Sequence, residues 1–159
     1  MTSENQGKAP STGRQFPRRL TVVAFLVGLS IPVGVAAAYA ATASSSWMNT
    51  GTVNGYSYKN QAQVDNSYTA ASTNVATTDE SNAPAGYMGA WAGLYESNGT
   101  LCKQSSWFYN PVSAAGESTV TNGSYCGAGN YYSYGRSEAY TGSGYDAYYT
   151  YLSPDLAFS

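Results

Sequence analysis

The sequence predicts an all-β protein: a small antiparallel β-sandwich of about six or seven strands with one disulfide, preceded by an N-terminal hydrophobic export helix. Two observations predict the sandwich. No apolar stripe with a 3.6-residue period lasts for three turns in residues 41–159, which argues against helices there. Short alternating segments are instead separated by Gly, Asn and Ser, the residues that favour turns between strands.

Residues 1–40 are organised like a secretory signal peptide. A basic n-region over residues 1–19 precedes an apolar segment over residues 20–40, and Ala38-Tyr39-Ala40 provides an A-x-A cleavage site. Cleavage would leave residues 41–159 as a secreted, extracellular β domain. The alternative is an uncleaved anchor, because about 20 apolar residues can span a bilayer. Residues 20–42 would then hold the chain in the membrane with residues 43–159 outside, and this segment would be the only membrane contact.

Charge is scarce beyond the leader. The chain has seven Lys and Arg, nine Asp and Glu and no histidine. Residues 41–159 keep three of those cations (Lys59, Lys103 and Arg136) against eight carboxylates. Nucleic-acid binding requires clustered Lys and Arg, so we expect no nucleic-acid partner.

The two cysteines of the chain, Cys102 and Cys126, both lie in the exported part. An even number of cysteines in an oxidising compartment predicts one structural disulfide. A redox-active pair would instead favour Cys-x-x-Cys spacing.

The first half of the exported domain predicts two strands and a hairpin. The strands cover Thr52 to Val64 and Tyr68 to Thr77, and residues 79–86 form a loop by composition. The hairpin joins Tyr87–Glu96 to Thr100–Asn110 through Ser97-Asn98-Gly99, because Asn-Gly between alternating runs favours a tight turn. A three-residue loop pairs Leu94 with Cys102 and Met88 with Phe108, whereas a two-residue loop would pair Leu94 with Lys103, which is less favourable.

The preferred pairing separates the first hairpin into two faces. The core face holds Met88, Ala90, Ala92, Leu94, Cys102 and Phe108. The opposite face holds Trp91, Tyr95, Leu101 and Trp107. Outward tryptophans indicate a ligand or partner, unless the N-terminal strand around Trp47 covers them.

The second half predicts a short strand near Ser118 to Thr121 and a second hairpin. This hairpin joins Tyr131–Tyr140 to Tyr145–Leu152 through the loop at residues 141–144, and Pro154 ends it. Pairing across the loop places the following residues on one face: Tyr132, Tyr134, Arg136, Glu138, Tyr140, Tyr145, Ala147, Tyr149 and Tyr151.

This tyrosine-rich face has two interpretations. Tyrosines fill the core in the first, because the domain has few Leu, Ile and Phe, and abundant Ser and Thr could bond the hydroxyls. In the second, the tyrosines form a surface that stacks on sugar rings or binds a protein. Arg136 and Glu138 on the same face favour exposure.

Familiar catalytic chemistry is excluded by composition. Without histidine, Ser-His-Asp and Cys-His arrangements and the common catalytic zinc sites cannot form. No Ser-x-x-Lys motif, calcium loop or Gly-rich phosphate loop is present. We therefore expect a protein that is not an enzyme and needs no cofactor or metal.

The run GYMGAWAGLYESNGTLCKQSSWFYNP, followed by CGAG and YYSYGRSEAYTGSGYDAYYTYLSP, resembles small exported Tyr- and Gly-rich β proteins of Gram-positive bacteria. The resemblance covers about residues 86–158 and brings no catalytic residues. In style the domain is also similar to the lactococcin-972-like bacteriocins, which are small secreted β-sandwiches.

The sequence leaves three functional hypotheses. The first is an exported, non-catalytic binding protein that recognises a cell-wall glycan or a surface protein through Tyr and Trp side chains. The second is a secreted bacteriocin-like antagonist. The third is a self-associating structural surface or matrix protein, because an uncharged Tyr, Asn, Gln, Ser and Gly composition favours pairing of strand edges.

Overall fold

The computed structural model describes residues 41–123 and 126–159. The expected signal peptide at residues 1–40 lies outside the described residues, and so do Ser124 and Tyr125. The described residues form eleven strands and no helix, so the all-β prediction is confirmed. Within these residues no helix is long and apolar enough to cross a membrane. The strands are β1 (Thr42–Ser44), β2 (Met48–Val53), β3 (Tyr56–Asp65), β4 (Ala70–Thr77), β5 (Met88–Glu96), β6 (Leu101–Gln104), β7 (Phe108–Tyr109), β8 (Gly116–Val120), β9 (Gly129–Tyr140), β10 (Tyr145–Tyr149) and β11 (Leu156–Phe158).

The strands form two antiparallel sheets that pack face to face. In the five-stranded sheet, β3 pairs with β4 and β4 with β8, while β1 and β2 both pair with the other edge of β3. In the six-stranded sheet, β9 pairs with β5 at the centre. Strands β10 and β11 flank β9, and β6 and β7 flank β5. This arrangement confirms two antiparallel sheets with more, shorter strands than expected.

The predicted strand from Thr52 to Val64 is wrong, because a tight turn divides it into β2 and β3. Asn54 and Gly55 both have positive φ (49° and 85°), the combination that a two-residue type I′ hairpin turn requires. Val53 then pairs with Tyr56 across the turn. Asn54-Gly55 therefore forms a tight turn between β2 and β3, and the same dipeptide predicts the turn after Ser97.

The core lies between the sheets and follows the two-residue period of the strands. On β5 the inward residues are Met88, Ala90, Ala92 and Leu94, all fully buried as predicted. On β9 the inward residues are mostly small: Tyr131, Ser133, Gly135, Ser137 and Ala139. One apolar cluster surrounds Tyr58, Val75 and Met88, and a second surrounds Val64, Leu94 and Phe158.

The register of the first predicted hairpin is wrong by one residue. The three-residue loop itself is present, since the backbone N–H of Glu96 donates to the Thr100 carbonyl (2.9 Å). A β-bulge then shifts the pairing, so Tyr95 faces Leu101 and Leu94 faces Lys103 rather than Cys102. A bulge inserts one extra residue and redirects its side chain. Cys102 is the extra residue, and it packs against the second apolar cluster.

Farther along this hairpin, Phe108 faces Ala90 rather than Met88 and is 45% exposed, so its place on the predicted core face is also wrong. The chain leaves the ladder between β6 and β7, where the Ser105 hydroxyl accepts a hydrogen bond from the Ala92 N–H (2.9 Å). Opposite Met88 the buried Asn110 takes over, because its Oδ1 accepts from the Met88 N–H (2.9 Å).

The predicted disulfide is confirmed. It joins Cys102 on β6 to Cys126, which precedes β9, with Cα atoms 6.1 Å apart. The bond thereby links the outer strand of the first hairpin to the central strand of the same sheet.

The second predicted hairpin is confirmed in its loop and register. Tyr140 faces Tyr145 and Arg136 faces Tyr149 across the loop. Its second strand ends at Tyr149 rather than at Leu152. Beyond it the chain stays beside β9 through backbone bonds from Thr150 to Gly135 and from Ser153 to Ser133, and β11 then pairs with the start of β9.

Candidate aromatic binding surface

The tyrosine-rich face lies on the outside of the six-stranded sheet rather than in the core. Because alternate residues of β9 fill the core, the intervening residues stand on the outer face: Tyr132, Tyr134, Arg136, Glu138 and Tyr140. The register of β10 adds Tyr145 opposite Tyr140 and Tyr149 opposite Arg136. The structure therefore brings together the predicted set on these two strands. Tyr151 lies beyond the end of β10, and it makes no ring contact among the described residues.

The second predicted patch belongs to the same surface. On β5 the positions between the core residues are Gly89, Trp91, Gly93 and Tyr95, and the half-buried side chains of Trp91 and Tyr95 stand on the outer face. Trp91 faces Arg136 and Tyr95 faces Tyr132 in the adjoining strand. Trp107 and Tyr109, from the end of the first hairpin, complete the surface through their contacts with β9 and β10. We call this surface the aromatic face: Trp91, Tyr95, Trp107, Tyr109, Tyr132, Tyr134, Arg136, Glu138, Tyr140, Tyr145 and Tyr149.

The rings of the aromatic face pack on one another. Tyr95 stacks on Tyr132 with ring centroids 5.5 Å apart, and Tyr134 stacks on Tyr149 at 5.4 Å. The edge of Tyr134 meets Tyr95 at 6.2 Å, which joins the two stacks. Such contacts restrict the side chains before any ligand arrives, which lowers the entropy lost on binding.

A second group of rings covers the other end of the face. Tyr145 lies between Tyr109, at 5.0 Å, and Tyr140, at 5.5 Å. Tyr109 also stacks on Trp107 at 6.2 Å.

The glycines of β5 make room for these rings. A Cβ at Gly89 would lie 2.6 Å from the ring of Tyr109, and a Cβ at Gly93 would lie 2.7 Å from the ring of Tyr95. Real Cβ atoms do not approach other atoms so closely, so larger residues would displace the rings. Tyr109 was not among the predicted site residues. The alternation of Gly with Trp and Tyr along β5 is the sequence signal that could have indicated a surface with rings lying flat on it.

Arg136 occupies the middle of the aromatic face. Its guanidinium carbon lies over two aromatic rings, 5.4 Å from the Trp107 ring centroid and 5.2 Å from that of Tyr149. Its neighbour on the strand face, Glu138, accepts a hydrogen bond from the Tyr109 hydroxyl (2.5 Å).

Three phenol groups of the aromatic face have a raised pKa. Burial, then the hydrogen bond to Glu138, raises the pKa of Tyr109 to about 12. Burial raises the pKa of Tyr95 and Tyr134 as well. The Tyr95 and Tyr134 hydroxyls can both donate and accept hydrogen bonds, whereas the Tyr109 hydroxyl already donates its proton to Glu138.

The outer face of the five-stranded sheet has a different chemistry. Its strands present Lys59, Gln61 and Gln63 on β3 and Ser72 and Asn74 on β4. Amides and hydroxyls there bond one another and the backbone, as in the 3.1 Å contact between Gln63 and Ser44. One tryptophan, Trp47, lies on this side, with the Lys59 ammonium 5.1 Å from its ring centroid. Aromatic crowding is thus a property of one outer face, not of every outward strand position.

The described part of the chain offers no cluster of side chains that could hold a metal ion. Across residues 41–123 and 126–159, no three Cys, Asp or Glu side chains are grouped so that they could hold a metal ion. The carboxylate of the aromatic face, Glu138, is already bonded by Tyr109.

The chain matches no protein-family model. It also matches none of the curated proteins and none of the solved structures.

Proposed function

We propose that this protein is an exported, non-catalytic glycan-binding protein that acts at or outside the cell surface through its aromatic face. One observation carries the proposal: packed Tyr and Trp rings cover the outer face of one sheet, while the other outer face is amide- and hydroxyl-rich. Surface aromatic patches of this kind mark binding sites on soluble proteins, because leaving them in water is unfavourable.

The shape of the face suits a polymer. Strand β9 has twelve residues, which at ~3.3 Å per residue extend roughly 40 Å. An extended polysaccharide lying on this surface would contact several rings at once. Each contact would be weak, and their sum would set the affinity.

The chemistry of the face suits sugars. Sugar rings present C–H groups that pack against aromatic side chains, and hydroxyls that pair with phenol groups. Burial raises the pKa of Tyr95 and Tyr134, so these phenols stay protonated into alkaline pH and each can donate and accept a hydrogen bond, whereas the Tyr109 hydroxyl already donates to Glu138.

The non-catalytic part of the proposal rests on composition and on Glu138. The chain has no histidine, and the carboxylate on the aromatic face is engaged by the Tyr109 hydroxyl. A general acid or base would need a free titratable group aimed at the ligand.

A retention experiment tests the proposal. The purified protein is mixed with insoluble cell-wall polysaccharide, and the bound fraction is measured by sedimentation. We expect wild type to be retained and the double variant Tyr145→Ala/Tyr149→Ala to bind roughly thirtyfold more weakly, since truncating a tyrosine that anchors a ligand costs about 1 kcal/mol and two such losses total about 2 kcal/mol. Both tyrosines are exposed (43% and 52%), so the fold should tolerate their removal.

Trp47→Ala is the matched control. Trp47 is equally exposed (43%) but lies on the other side of the molecule, so its removal should leave retention unchanged. Absence of wild-type retention, or equal retention of wild type and the double variant, would contradict the proposal.

Self-association is a second candidate, favoured by the edge strand β10. Four of its five residues are exposed, and it pairs with β9 on one side alone among the described residues. An exposed strand edge is a template for pairing with another chain. Sedimentation velocity distinguishes the two functions: a glycan-binding monomer keeps its sedimentation coefficient as concentration rises, whereas a structural protein forms larger species.

A further inference from the structure

Among the described residues, the Arg136 guanidinium lies over two aromatic rings and makes no hydrogen bond. Trp107 and Tyr149 lie near it at 5.4 and 5.2 Å, and Nε is buried without a hydrogen-bond partner. No carboxylate forms an ion pair with Arg136 in the described part of the chain. A carboxylate is available two residues away, yet Glu138 is bonded to Tyr109 instead.

Arg136 is therefore a partly buried cation that has no anionic partner among the described residues. Taking a charged group partly out of water without a partner costs free energy, and cation–π contacts recover only part of that cost. Arg136 is half-buried as a whole, and Nε is its only fully buried atom without a partner, so the remaining N–H groups are open to a ligand.

The chemistry of the guanidinium group indicates which anionic group of a ligand would pair with Arg136. The two rings contribute cation–π contacts, and the guanidinium N–H groups other than the buried Nε remain available for hydrogen bonding. That edge matches the two oxygens of a carboxylate or a phosphate, with which Arg forms bidentate pairs.

We propose that Arg136, Trp107 and Tyr149 form a subsite for one acidic substituent, a carboxylate or a phosphate, on the glycan bound by the aromatic face. The inference rests on the proposed function and specifies its ligand class. Residues 41–159 carry eight carboxylates against three cations, so a densely charged polyanion would be repelled. The ligand is therefore a mostly neutral glycan with sparse acidic groups.

The test compares three preparations of one cell-wall polysaccharide. The first is untreated, the second has its carboxylates reduced to alcohols, and the third is treated with hydrogen fluoride to remove phosphodiester-linked groups. Wild type should bind the untreated polymer about tenfold more tightly than one of the two treated polymers, since hydrogen bonds to charged groups are the strong ones. The treatment that weakens binding identifies the acidic group.

Substitutions connect the effect to Arg136. Arg136→Gln should bind untreated and treated polymers equally, and as weakly as wild type binds the treated one. Arg136→Lys should recover only part of the preference, because an ammonium lacks the planar fork. Lys59→Gln is the control, since Lys59 also lies beside a tryptophan ring but on the opposite sheet, and it should keep the full preference.

The outcomes separate the two proposals. If wild type fails to bind the untreated polysaccharide, the glycan-binding function itself is contradicted. If wild type binds all three preparations equally, or if folded Arg136→Gln keeps the preference, the acidic subsite is overturned while glycan binding stands. Thermal unfolding of each variant establishes that it is folded.

Discussion

Single residues decide how closely the two sheets approach. Gly135 lies on the core side of β9, and a Cβ there would be 2.9 Å from both Thr73 Cβ and the Trp91 carbonyl oxygen. Neither the backbone nor the short threonine side chain can move far, so the position admits no side chain. The sequence shows Gly135 only as an interruption of an alternating run, and nothing in it indicates which residue of the facing sheet comes so close.

Gly135→Ala should destabilise the protein by about 2 kcal/mol, because overfilling a packed core forces backbone shifts. Chemical denaturation measures the effect. Gly144→Ala is the control, since a Cβ at Gly144 has no atom within 4 Å, and it should change stability by less than about 0.5 kcal/mol. Equal midpoints for the two variants would contradict the close approach at Gly135.

Tyr58 carries a hydroxyl that the fold does not use. The side chain is 1% exposed, and its oxygen has no hydrogen-bond partner among the described residues. Removing an unpaired buried hydroxyl relieves its desolvation cost, so Tyr58→Phe should stabilise the protein by up to about 1 kcal/mol. Tyr131→Phe is the matched comparison: its hydroxyl donates to the Cys126 carbonyl (2.9 Å), and its loss should cost about 1 kcal/mol.

The buried Tyr58 phenol should also make the stability of the protein fall at alkaline pH. Burial raises its pKa to about 12, whereas an unfolded tyrosine titrates near pH 10. The folded state then holds the proton more tightly than the unfolded state, so the stability linked to this proton is fully present below pH 10 and is lost as pH rises through 12. Denaturation at several pH values should show a shallower loss for Tyr58→Phe than for wild type. Identical slopes would contradict a buried, neutral Tyr58.

At the scale of elements, the sequence predicts both long hairpin loops and the register of the second hairpin, but it misses the Asn54-Gly55 turn and the register of the first hairpin. The loops after Glu96 and Tyr140 follow from their Gly and Asn residues, and the second hairpin has the predicted pairing. The bulge at Cys102 has no local signature, because it depends on the disulfide and the apolar cluster that Cys102 joins. The pairing of β11 with β9 is likewise a long-range contact, and the sequence of a three-residue strand is too short to predict its partner.

The disulfide joins two such elements, and its removal should be measurable. Replacing Cys102 and Cys126 together by Ser should lower the free energy of unfolding by about 3 to 4 kcal/mol. The disulfide joins residues that are 24 positions apart in sequence, and closing this loop lowers the entropy of the unfolded chain. Dithiothreitol should lower the denaturation midpoint of wild type to that of the double variant and leave the variant unchanged. A wild-type midpoint that does not respond to reduction would contradict a stabilising role.

For the whole molecule, the essential property is the difference between its two outer faces. The sequence predicts the tyrosines of β9 and β10 on a common face, but whether that face is core or surface depends on which residues the other sheet covers. Small residues at Ser133, Gly135 and Ser137 face that sheet, and the rings therefore point outward. The union of both predicted patches could not be foreseen, because it requires β5 and β9 to be neighbours although about 40 residues separate them in sequence.

The three tryptophans of the chain provide the most direct test of a glycan-binding aromatic face. Trp91 and Trp107 lie on the aromatic face, and Trp47 lies on the opposite side. Their indole N–H signals can be followed by NMR, with single Trp→Phe variants for assignment, while soluble fragments of cell-wall polysaccharide are added. The signals of Trp91 and Trp107 should shift in proportion to bound glycan while that of Trp47 stays in place. A shift of Trp47 alone, or binding with all three signals unmoved, would contradict the account.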